Sequence, residues 1–141
     1  MKRNLIGTLS LVVLSLLLNT TGAYAQAVAK ADVPFAFTVG QKQLPAGSYG
    51  ISGGQSTIVI RNGETGAGTL SVVRRDSYGK SSPKLVFHRL GSQYFLAQVW
   101  GAEGSGGMII PTSTLEKDLQ KELRIAHAPS ITVGEVVIAL K

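Results

Sequence analysis

The stretch KLVFHRLGSQYFLAQVW, Lys84 to Trp100, decides the fold. It is two runs rich in apolar and aromatic residues with Gly91-Ser92 between them, and a glycine in the first of two central positions suits the positive φ of a type II′ hairpin turn. That turn sets Leu90 opposite Gln93, Arg89 opposite Tyr94, His88 opposite Phe95 and Phe87 opposite Leu96. Strand side chains alternate, so one face carries Leu85, Phe87, Leu96 and Trp100, and the other carries Val86, His88, Phe95, Ala97 and Val99. Both faces are apolar, which places the hairpin near the centre of a sandwich or closed sheet.

Upstream, Val33, Phe35, Phe37 and Val39 alternate with Pro34, Ala36 and Thr38, the period of a strand with one buried face, with Pro34 suited to its start or to an edge. In LPAGSYGI, Pro45 presets φ for a turn that Gly47 ends, so Ser48 to Ser52 returns as a strand. Thr57 to Arg61 is β-branched, Asn62-Gly63 signals a type I′ turn, and Thr69 to Arg75 is strand again, before a polar connection from Asp76 to Pro83. Downstream, Gly101 to Gly107 is a Gly-rich loop that lacks the Lys-Ser/Thr ending of a phosphate-binding loop. Ser113 with Glu116 three residues on is a capping box, and Leu115, Leu119, Leu123 and Ala126 form one stripe, so Thr114 to Ala126 is expected as a helix. Ile131 to Leu140 reads as the final strand, with Gly134 as a bulge. The expectation is a mainly β chain, a single antiparallel β-sandwich or small barrel of about seven to eight strands with one helix toward the C-terminus.

The first residues stand apart from this pattern. Met1-Lys2-Arg3 is a basic start, Leu5 to Leu18 is apolar, and Ala23-Tyr24-Ala25 fits the cleavage site of a secretory signal peptide. The apolar run is shorter than the roughly 20 residues that span a bilayer, so cleavage after Ala25 and export to the periplasm or beyond are expected, with no membrane span afterwards. A mature chain of 116 residues from Gln26 to Lys141 suits one domain. The absence of cysteine removes disulfides, thiolate nucleophiles and cysteine metal sites from consideration. Twelve Lys and Arg remain against eight Asp and Glu once Lys2 and Arg3 are cleaved, a mild basicity without the dense basic stripe of a nucleic-acid binder.

With these stretches in view, VPFAFTVGQKQLPAGSYGI, KLVFHRLGSQYFLAQVW and the helix TSTLEKDLQKEL leading to a valine-rich strand resemble a family of small exported all-β proteins of Gram-negative bacteria. The resemblance covers nearly all of the mature chain, and it departs from the family at Met108-Ile109-Ile110, where a more polar lead-in to the helix is expected. It implies an exported β domain with no agreed activity, so no catalytic residues carry over.

Several residues invite a chemical reading. Gly50-Ile51-Ser52-Gly53-Gly54 matches G-x-S-x-G, but a nucleophile elbow needs a strand, a sharp turn and a helix, and β-branched Thr57 to Arg61 follows instead. His88 and His127 lie in no metal-ligand spacing, and a site would have to gather Asp76 or Glu103 from afar. His88 therefore reads as a sheet histidine with a hydrogen-bonded ring, and His127 as a residue favouring a helix C-terminus. Asp118 and Glu122 share a helix face with Lys117, Lys121 and Arg124 nearby, a solvated surface. Arg74, Arg75, Lys80 and Lys84 gather around a polar loop as a candidate anion patch, against the plainer reading of an ordinary soluble loop. Arg89, Tyr94, Trp100, Leu115, Leu119 and Leu123 make up a candidate ligand or partner surface, although a lone Trp beside a loop also serves as packing.

No acid–base pair, metal set or cofactor motif emerges. The expected function is that of an exported, non-enzymatic β domain with a structural or binding role, its partner an envelope component or a glycan. The alternative is a carrier that encloses a small apolar ligand beneath the helix, and a glycan-directed enzyme comes after both. An outer-membrane barrel fits poorly, because a helix interrupts the strands, aromatics are few and the chain ends in Leu140-Lys141.

Overall fold

The computed structural model describes residues 29–76, 81–101, 106–126 and 133–141; the expected signal segment, Lys80, Glu103 and His127 lie outside these residues. Pro34 cannot donate to a ladder, and the alternating run around it divides there into β1 (Ala29–Val33) and β2 (Phe37–Val39), which belong to different sheets. From β2 the chain turns at Gly40, φ 61°, into β3 (Lys42–Leu44). Pro45 and Gly47 reverse it into β4 (Gly47–Gly53), and β5 (Thr57–Asn62) and β6 (Gly68–Val72) come next as antiparallel neighbours. The first sheet has the order β1-β4-β5-β6.

The expected strand from Thr69 to Arg75 divides as well. Val73 is buried at a corner, its N–H donating to the Ser56 carbonyl at 2.9 Å, and β7 (Arg74–Asp76) beyond it joins the second sheet. The chain continues through β8 (Lys84–Leu90), β9 (Gln93–Trp100), β10 (Gly107–Ile109), the helix α1 (Thr114–Ile125) and β11 (Gly134–Ala139). The second sheet runs β11-β8-β9-β10-β7 and curls into a half-barrel, with β2 parallel to β9 at Thr38 and Phe95 and β3 paired outside β2. Among the described residues the chain is thus mainly β, with two sheets and one helix toward the C-terminus. The described residues hold eleven strands where about seven to eight are expected from turn spacing. The difference is that two expected strands each divide, giving β1 with β2 and β6 with β7, and that β3 and β10, three residues long, are too short to display a period of two.

At the hairpin end of β8 and β9 the expected pairs are all present: Leu90 with Gln93, Arg89 with Tyr94, His88 with Phe95 and Phe87 with Leu96. Past Phe87 the register shifts, so Val86 faces Gln98 and Ala97 is the extra residue of a bulge. This corrects the expected faces. Val99 joins Leu85, Phe87 and Leu96 in the core, whereas Trp100 passes to the other face beside Lys84. Gly134 opens β11 instead of bulging it. The type I′ turn expected at Asn62-Gly63 is replaced by a longer loop, because the Asn62 Oδ1 accepts from the Glu64 and Thr65 amides, both at 2.9 Å, and the positive φ falls to Gly66 at 70°. Met108-Ile109-Ile110, where the lead-in to the helix is expected, supplies most of β10 and the buried Ile110, whose N–H donates to the Ala97 carbonyl.

Between the sheets the space is filled by side chains no more than 5% exposed, among them Phe37, Tyr49, Ile51, Ile58, Phe87 and Val99. A line of edge-to-face ring contacts runs from Tyr49 through Phe37 and Phe87 to Phe35. Besides the crossings at Pro34 and Pro45, two seams join the sheets. One is the continuous chain through Val73; the other is a backbone pair in which Lys30 N–H donates to the Lys141 carbonyl at 3.3 Å and Lys141 N–H to the Lys30 carbonyl at 2.9 Å. The Lys141 ammonium also bonds the Asp32 carboxylate, which together with Ser48 holds that carboxyl below its ordinary range.

Candidate interaction surfaces

The candidate nucleophile sequence dissolves into regular structure: Gly50, Ser52 and Gly53 are ladder positions of β4, and no strand–turn–helix elbow forms. His88 is brought to one partner, Glu116, with Nδ1 2.8 Å from Oε1. On the sheet its cross-strand neighbours are Phe95 and Glu135, so it stands on the face of the second sheet that points away from the main core. The Ser113 half of the expected capping box is present, the Glu116 N–H donating to Ser113 Oγ at 3.1 Å, and the same glutamate, its carboxylate on His88, is the buried residue of α1 at 4% exposure. A buried carboxylate needs a hydrogen-bonding partner, and a sheet histidine supplies it. The pair pins helix to sheet, and among the described residues no group of three or more His, Asp or Glu is arranged to hold a metal ion.

This pin turns the helix away from the expected stripe. Leu115 is 45% exposed, Leu119 and Leu123 are half-buried, and the inward line is Glu116, Leu119, Gln120 and Leu123, spaced i, i+3, i+4 and i+7. The sheet face that carries His88 also carries the buried Val86, Leu90 and Phe95, a second apolar layer outside the main core.

The remaining candidates separate into distinct places. Arg89 and Tyr94 do meet, the guanidinium carbon lying 6.0 Å from the ring centroid, and the other neighbour of that ring is Phe35, stacked at 4.0 Å. Beside them a shallow cleft of about 160 Å³ is lined by Phe35, Thr38, Gln43, Ser92, Gln93 and Tyr94. Trp100 lies at the opposite end of β9. Its Nε1–H donates to Gln98 at 3.0 Å, Lys84 stands 5.9 Å from its ring centroid, and Gly107 packs so closely that a Cβ there would lie 3.0 Å from the indole. Of the anion patch, Lys84 is thus committed to Trp100, and Arg75 donates to the Gly54 and Gln55 carbonyls at 3.0 and 3.3 Å. Arg74 is exposed beside a cleft of about 300 Å³ lined by Ile109, Ile110, Pro111 and Thr112. Arg74, Arg75 and Lys84 thus have different neighbours, and Lys80 lies outside the described residues.

A surface outside the sequence candidates is the outer face of the first sheet. Val59, Leu70 and Val72 are 38%, 62% and 62% exposed, and the register places Val59 directly opposite Leu70. Its signal was present in TIVIRN: Ile58 and Ile60 alternate inward, so the β-branched Val59 between them has to point out. Lys30 and Arg61, both exposed, stand on the same face. No family model, curated protein or solved structure matches this chain.

Proposed function

We propose that the chain is exported and acts in the cell envelope or extracellular space as a non-enzymatic binding module that works through the outside of its sheets. The observation that carries this reading is how its apolar residues divide. Those between the sheets fill the interior, and Val59, Leu70 and Val72 stand exposed together on one sheet face. A filled interior leaves recognition to the surface, and clustered exposed apolar side chains mark interaction sites. Export rests on the basic start, the apolar run and Ala23-Tyr24-Ala25, and the resemblance to exported all-β proteins points the same way.

A carrier is the second reading. It is favoured by the shallow seating of α1, with Leu115 exposed and Leu119 half-buried, over a face that holds Val86, Leu90 and Phe95. Fractionation of the producing cells separates the two. As a surface module, the protein should start at Gln26 and partition with the envelope, and Leu70→Asp with Val72→Asp should release it into the soluble fraction without lowering its melting temperature. Equal partitioning of that variant, together with a retained apolar molecule in native mass spectra, would favour the carrier.

A further inference from the structure

The register fixes a line of charge across the outer face of the first sheet. Lys30 stands opposite Gly50, Gly50 opposite Arg61, and Arg61 opposite Gly68. Beyond Gly68 the Lys42 ammonium continues the line, donating to the Gly68 carbonyl at 2.7 Å. The two glycines present no side chain, so Lys30 and Arg61 face each other across a bare strand, about 10 Å apart by two strand spacings. All three cations are exposed. Two residues along the strands, about 7 Å away, lies the row Ser52, Val59 and Leu70, and beyond it the pair Thr57 and Val72. The carboxylate on this face, Asp32, is bonded by Lys141, and Glu64 stands in the loop after Asn62.

We infer that this face docks on an anionic lipid bilayer, an inference that rests on reading the chain as a module working through its sheet surface. Charge complementarity is the first reason: a row of cations whose neighbouring acid is already paired suits a surface of phosphates. Arrangement is the second. A protein partner's footprint has an apolar centre ringed by polar groups, whereas here apolar and basic side chains run side by side in parallel rows. At a bilayer the two rows find different depths. Leu70 and Val72 enter the boundary between headgroups and acyl chains, while the long stems of Lys30 and Arg61 let their charges stay at the phosphates, beside the Lys42 ammonium held at the Gly68 carbonyl. The clefts beside Tyr94 and Arg74 are lined by none of these residues.

Sedimentation of the processed chain with vesicles tests it. Vesicles of phosphatidylcholine and phosphatidylglycerol in equal parts should bind the protein, and phosphatidylcholine alone should bind it roughly tenfold less, with binding falling as salt rises. Lys30→Glu with Arg61→Glu, and separately Leu70→Ser with Val72→Ser, should each weaken binding by roughly tenfold, whereas Lys117→Glu on the exposed side of α1 should not. Melting curves establish that each variant is folded. Equal binding to both vesicle types, unchanged binding by the Lys30/Arg61 variant, or binding to a soluble acidic polypeptide with none to vesicles would overturn the assignment. If envelope partitioning still depends on Leu70 and Val72 in that case, only the lipid partner falls; if it does not, the module reading falls too.

Discussion

Tyr49 is buried where the turn after Pro45 enters β4, its hydroxyl donating to the Pro45 carbonyl at 2.6 Å and hydrogen-bonded from the other side by the Asn62 side chain. A corner of this kind locks a crossing between strands with one buried phenol. Gly47 shares in it, because a Cβ there would stand 2.5 Å from the Asn62 amide nitrogen. Tyr49→Phe would leave the Pro45 acceptor without its partner, a loss expected to cost about 1–3 kcal/mol in a urea titration. The same variant should alter the alkaline limb of stability. Burial pushes the Tyr49 hydroxyl above its ordinary pKa of 10.0, against the weaker opposite pull of the Asn62 hydrogen bond. Below that value the phenol is protonated in both states; as pH rises through it the unfolded chain ionises first and the folded state loses stability. Tyr49→Phe should therefore decline less steeply above pH 10, and a slope identical to that of the parent protein would exclude Tyr49 as the source. The motif LPAGSY made the turn legible, but nothing local in Asn62-Gly63 revealed that the asparagine is committed to its own loop and to Tyr49.

Helix α1 was legible in its cap and length and illegible in its rotation. Ser113 caps the Glu116 N–H as their spacing announces, yet the Glu116 carboxylate goes to the sheet and the leucine stripe, the natural choice for the buried side, is turned outward at Leu115. Glu116 can be buried only because His88, 28 residues away in sequence, stands beneath it, and a pairing over that distance leaves no periodic trace. The β9 bulge is the companion case: Phe95, Leu96 and Ala97 are all buried in succession, which breaks the alternation that sets Trp100 on the face of Leu85 and Phe87. Packing at α1 is accordingly shallow. Leu119→Ala should cost about 1 kcal/mol, below the usual range for a fully buried leucine, whereas Phe87→Ala in the main core should cost about 3–5 kcal/mol. Chemical denaturation of both variants decides; equal costs would mean that α1 is as much a part of the core as β8.

Across the molecule, the class of fold was legible in strand periods and turn residues, since these are local. Closure was not. The seam at Val73 and the backbone pair between Lys30 and Lys141 join distant parts of the chain, and the parallel contact of β2 with β9 has no hairpin to announce it. The candidate surface shared this fate, because it takes the register of four strands to place Lys30 and Arg61 on either side of Gly50 and to bring Val59 opposite Leu70. Side chains occupy the interior between the sheets, and the proposed binding belongs to the outer face of the first sheet, where Val59, Leu70 and Val72 are exposed. Methyl NMR tests this division, with valine, leucine and isoleucine methyls labelled and the envelope lipids of the producing cell added. The resonances of Val59, Leu70 and Val72 should shift while those of Leu85, Leu96 and Val99 stay in place; shifts centred instead on Val86, Leu90, Leu119 and Leu123 would put the ligand beneath the helix and take the binding role away from the outer face.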